Sequence, residues 1–269
     1  MVKKLLKYEF ASFSKSILPM EIILLCIALF TRIVQFFEDD SLTFNIFMVS
    51  SVVMLVISMI VCLVMTVVLC TVRFYKNLYT SEGYLTLTLP VTHSQHIIAK
   101  IIFSVCASLV SILSVIIAFM IATAGDVLTE CFKAAGYIIK ELAKFLKVNF
   151  YLYSLEAIVF IIAAITAGFL LFFACITVGQ MAKKNRVLAA FGVYFGYYIF
   201  RQILGTILLI VFLAIQENRI VIFIKDWLAG NPIETAHIVF CGAILYLAVI
   251  SIIYFLVTRF ILKRKLNIE

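Results

Sequence analysis

Charge is the first thing this sequence is short of. Asp, Glu, Lys and Arg make up 13% of its 269 residues, against 65% hydrophobic residues and a mean hydropathy of +1.19. A soluble domain carries about a quarter charged residues, so that class is excluded. Proline is scarce, with three residues, and no Ser-, Gly- or Pro-rich linker or internal repeat divides the chain. One membrane domain spanning 1–269 is therefore expected.

The chemistry of common active sites is lacking too. No G-x-x-x-x-G-K-[ST] loop occurs, so the chain does not hydrolyse ATP alone. The seven cysteines include no C-x-x-C pair, which argues against a zinc site or a disulfide framework. Cys26, Cys62, Cys70, Cys106, Cys175 and Cys241 fall in apolar runs, where thiols pack as small hydrophobes, and Cys131 alone lies outside them. His93 and His96 have no third ligand nearby, His237 stands alone, and Glu21 and Glu156 lie near opposite faces. A membrane-embedded hydrolase needs a nucleophile and base, paired carboxylates or clustered ligands. No catalytic residue, metal site or cofactor is expected.

What the sequence has is long apolar runs. A helix crosses about 30 Å of hydrocarbon with about 20 apolar residues. Six windows qualify: Ile17–Phe37, Ile46–Val72, Ile101–Ala124, Leu152–Val178, Val187–Ile215 and Ala236–Leu262. The expected class is an all-α membrane protein with six transmembrane helices. The first run ends in acids without a small-residue cleavage site, so it reads as a retained helix and not a signal peptide.

Lys and Arg alternate between the ends of these runs. Fourteen lie on the side of the N- and C-termini, from Lys3 to Lys15, at Arg73, Lys76 and Lys100, at Lys183, Lys184 and Arg186, and from Arg259 to Lys265. Six lie on the other side, together with nine acids. Cationic flanks stay in the cytoplasm, which puts both termini there. The net charge of +8 is thus distributed as short clusters at span ends and not as a nucleic-acid patch.

Three segments outside the spans carry patterns. In 1–16, Leu5, Leu6, Phe10 and Phe13 form a stripe opposite Lys3, Lys4, Lys7 and Lys15, the pattern of a helix lying in the membrane interface. In 125–151, Leu128, Phe132, Ile139, Leu142 and Leu146 recur at helical spacing, giving an external amphipathic helix. Between the last two spans, the short run Ile220 to Ile224 precedes Trp227 and fits a surface-lying or partly re-entrant segment.

The connector 73–100 is the most informative. Val72, Tyr75, Leu78 and Tyr79 continue the second helix past the bilayer. Gly83 permits a sharp reversal, Pro90 bars a helical continuation, and Thr92 with Gln95 forms a capping box that starts the next helix near His93. Leu85, Leu87 and Leu89 are then displayed beside Glu82 and Tyr84. Each buried leucine is worth about 1.5 to 3 kcal/mol over an exposed one, so they favour either a docking partner or a fold back onto helix ends and headgroups.

The stretches "LLKYEF" and "RFYKNLYTSEGYLTLTLP", with the six-span layout, resemble bacterial ABC-2 type transporter permeases. The resemblance implies an N-terminal interfacial elbow helix, a permease homodimer or heterodimer in the cell membrane, export, and a separate ABC ATP-binding subunit. It implies that the ATPase docks on Glu82, Gly83, Tyr84, Leu85, Leu87, Leu89 and Pro90, with Lys183, Lys184 and Arg186 as a second contact. The external helix 125–151 departs from the family pattern. The rival reading is a non-transporting immunity or sensor scaffold.

Within the spans, Arg201 and Gln202 are polar positions in the fifth run. A central arginine costs about 2.5 to 3.5 kcal/mol on insertion scales, so it faces protein or water, either bonding a neighbouring helix or lining a path. Gly192 and Gly196 form a small-xxx-small pair that admits a close helix, within the chain or across a dimer.

Overall fold

The computed structural model describes residues 2–37, 41–80, 91–146, 150–182, 184–215 and 218–264. Their secondary structure is helical: α1 (Val2–Ser16), α2 (Leu18–Phe36), α3 (Leu42–Tyr79), α4 (His93–Ala122), α5 (Asp126–Leu146), α6 (Phe150–Gly179), α7 (Arg186–Ala214), α8 (Arg219–Gly230) and α9 (Pro232–Arg264). Helices α2, α3, α4, α6, α7 and α9 are long and apolar enough to cross a membrane. In hydrocarbon each backbone N–H and C=O must bond within its own segment, which a helix achieves. This is the architecture of a multi-pass membrane protein.

Helix starts follow local chemistry. Pro19 sits in the first turn of α2, where its missing N–H costs nothing. The Ser41 hydroxyl accepts from the Phe44 N–H at 3.3 Å to start α3. Thr92 and Gln95 form the expected capping box at α4, with the Thr92 N–H donating to Gln95 Oε1 at 3.2 Å.

The chain divides into two compact units, Met1–Phe145 and Leu146–Glu269. In the first, α2 packs on α3 and α4, and α1 packs on α4 and α2. The buried face of α4 is built from small residues, among them Ser104, Ala107, Ser111, Ala118 and Ala122. Small side chains let helix backbones approach closely in a membrane, where no hydrophobic drive pulls helices together. Leu24, Ala28, Leu55, Cys62, Ala118 and Ala122 form the resulting core. The stripe of α5 finds no such cover: Phe132, Ile138, Ile139 and Leu142 are exposed.

In the second unit α6 pairs most extensively with α9, and α7 joins α6. The α6–α7 hairpin turns through Asn185 in a left-handed conformation (φ 50°) and closes tightly at Gly179. A Cβ there would lie 2.6 Å from the backbone N and Cα of Ala190, so only glycine fits.

The six expected spans all form. Two run furthest past the apolar windows: α3 continues seven residues past Val72, and α4 begins eight residues before Ile101. Both extensions lie at the end that carries α1.

Candidate functional site

The residues expected to dock a partner fall unevenly. Glu82, Gly83, Tyr84, Leu85, Leu87, Leu89, Pro90 and Lys183 lie outside the described residues. Lys184 is exposed and Arg186 half-buried at the start of α7. Arg201 and Gln202 are exposed halfway along α7, and α7 contributes no buried residue. Nothing lies within 4 Å of a Cβ built at Gly192 or Gly196, so the close approach in this hairpin is at Gly179. The contact from α7 to α9 is instead polar, a hydrogen bond between the hydroxyls of Tyr197 and Tyr254.

The structure draws attention to three buried polar clusters. The first joins α1, α3 and α4. Glu9, 8% exposed, contacts Arg73 Nε through Oε2 at 2.7 Å and Lys100 Nζ through Oε1. Lys100 is 5% exposed. The Arg73 guanidinium lies 5.1 Å from the centre of the Phe103 ring, which Phe10 meets edge-on at 5.7 Å. Amphipathic α1 is therefore anchored by its one acid, which contacts a cation on each of two helices.

The second cluster lies deeper. Ser111 Oγ donates to Glu21 Oε1 at 2.5 Å, and Cys62 Sγ donates to Oε2 at 3.2 Å. Thr66 Oγ1 is 2.7 Å from Ser111 Oγ and 2.8 Å from the Cys62 carbonyl, to which it donates. No described cation pairs with Glu21. Both Arg73 to Cys62 and Lys100 to Ser111 span eleven residues, so the two clusters are separated by about 16 Å of helix. That is about half of the hydrocarbon thickness.

Hydroxyl protons can be followed through this cluster. Thr66 and Ser111 hold one each for three contacts among Glu21, Ser111, Thr66 and the Cys62 carbonyl. Ser111 donates to Glu21 and Thr66 to the Cys62 carbonyl, and the two hydroxyls lie within hydrogen-bond distance of each other. The cluster thus ties α2, α3 and α4 together through hydrogen bonds rather than ion pairs.

The third cluster clasps the starts of α6 and α9. His237 Nδ1 lies 2.9 and 3.0 Å from the two oxygens of Glu156, which is 8% exposed. Tyr153 stacks on the imidazole at 3.9 Å and 13°, and its hydroxyl donates to the Ile233 carbonyl. Tyr153 and Glu156 share one face of α6, while Ile233, His237 and Cys241 recur every four residues on α9. The two helices therefore run side by side in the same direction.

These findings correct two expectations. His237 is not solitary, and Cys62 is not in purely apolar packing, since its thiol faces Glu21. All seven cysteines are free, and no group of three or more possible metal ligands occurs among the described residues. The signals that could have pointed to the clusters were single acids in unusual company: Glu9 among four lysines and Glu21 alone in its apolar run. Compared with family models, with curated proteins and with solved structures, the chain finds no match.

Proposed function

We propose that the chain is the membrane-spanning permease subunit of an ABC-2 type exporter in the bacterial cell membrane. Two permease subunits pair, and separate ATP-binding subunits drive them from the cytoplasm, where both termini lie. Residues 82–90 receive the ATPase, with Lys183 to Arg186 as a second contact. Export is the direction the sequence resemblance implies.

The observation that supports this reading is the geometry at the base of the connector. Helix α3 has 38 residues, about 57 Å of helix, which exceeds the hydrocarbon thickness by about 27 Å. Its extension and that of α4 lead into the connector, and the Glu9 cluster ties both helices to α1. A push on the connector then moves three tied helices together instead of fraying two helix ends.

Leu87→Asp tests the docking assignment. An unpaired carboxylate at a buried contact costs several kcal/mol, enough to dissolve an interface held by a few anchors. The variant should insert and fold normally but lose co-purification with the separate ATP-binding subunit. An intact complex with normal ATP hydrolysis would overturn the assignment.

A further inference from the structure

A cavity of about 410 Å³ opens in the first unit beside the Glu9 cluster. Ser16 and Ile17 bound it at the α1–α2 junction, α3 lines it between Leu69 and Asn77, and Phe103 of α4 closes it. Its size is at the low end for small-molecule sites, about 300 to 1,000 Å³, and suits a headgroup rather than a whole lipid.

The lining changes character along α3. Leu69 and Val72 lie at the deep end, Arg73 follows, and Lys76 with Asn77 lies one turn further out. Leu69 to Asn77 covers about 12 Å of helix. A phospholipid presents the matching order over such a distance: first acyl carbons, then phosphate, then headgroup.

Charge points the same way. Glu9 supplies one negative charge against Arg73, Lys100 and Lys76. Arg73 commits Nε to Glu9 and its face to Phe103, leaving its terminal nitrogens, like Lys76 Nζ, without an acceptor among the described residues. Arginine presents a planar fork that suits phosphate oxygens.

We propose that this cavity holds one anionic phospholipid from the leaflet at the α1 end, its phosphate on Arg73 and Lys76 and its first acyl carbons against Leu69 and Val72. The exposed Val72 lets the chain continue into the bilayer, which a free phosphate would not need. The site does not depend on the transport reading.

The test uses the full chain, moved from phosphatidylcholine nanodiscs containing some phosphatidylglycerol into mild detergent for native mass spectrometry. One phosphatidylglycerol per chain should be retained in preference to phosphatidylcholine. Lys76→Gln should weaken retention about fivefold, the effect of one interfacial cation. Lys7→Gln, which removes the same charge from an exposed position on α1, should change nothing. Val72→Trp, which blocks the apolar end without altering charge, should also lower retention. Equal losses in the two lysine variants would mean diffuse surface charge and overturn the site. Equal retention of phosphatidylcholine, or displacement of the lipid by inorganic phosphate, would overturn it as well.

Discussion

The two units solve the same problem, holding helices together in lipid, by different chemistry. In Met1–Phe145 charged and hydroxyl groups are carried into the packed interior: Glu9 with Arg73 and Lys100, and Glu21 with Ser111, Cys62 and Thr66. In Leu146–Glu269 the buried Glu156–His237 pair is set among aromatic joints, with Tyr153 on His237, Phe160 against Phe240 and Phe172 on Tyr194. Its most conspicuous cation, Arg201, stays exposed on a helix that buries nothing. Buried polar pairs fix one arrangement of α1 to α4, because any other leaves a charge or hydroxyl unpaired. Aromatic surfaces are less exacting about register. The first unit is therefore the one in which single substitutions should be most damaging.

Glu9→Ala should have the largest effect. It removes the carboxylate that Arg73 and Lys100 both contact, and breaking a buried pair costs about 3 to 5 kcal/mol. The fraction of folded protein surviving a detergent thermal ramp should fall sharply. A near-normal ramp would mean that the first unit is no more dependent on its ions than the second.

Glu21 sharpens the comparison, because its cluster works by hydrogen bonding. Glu21→Ala strands the Ser111 hydroxyl and the Cys62 thiol and should cost about 1 to 3 kcal/mol. Glu21→Gln keeps both an acceptor and a donor at the same place and should lose much less on the same ramp. Equal losses would show that the carboxylate charge itself is required.

Arg201→Ala should cost the least stability, because removing the exposed side chain leaves no buried partner stranded. Loss of transport without loss of stability would then assign Arg201 to the substrate path or to the partner permease. If the planar fork matters, Arg201→Lys should be as harmful to transport as Ala. A large loss of folded protein would show that the second unit also relies on a buried charge.

The spans were legible because length and apolar composition are local properties that lipid imposes on each helix separately. The capping box at Thr92 and the continuation of α3 to Tyr79 were legible for the same reason. The clusters were not. Glu21 meets Cys62 and Ser111 across 41 and 90 residues, and Glu156 meets His237 across 81, so their partners depend on helix packing that no window reveals. The position of Arg201 within its run could be read, but its exposure could not.

The Glu9 cluster also sets a timetable. During synthesis Glu9 emerges first, yet its partners follow 64 and 91 residues later, at Arg73 and Lys100. At about 5 to 20 residues per second, the second partner arrives roughly 5 to 18 s after the acid. Until then α1 lacks the partners that hold its acid in the bundle. Its docking marks the moment at which the third membrane helix is made, so the N-terminal segment is among the last parts of its own unit to settle.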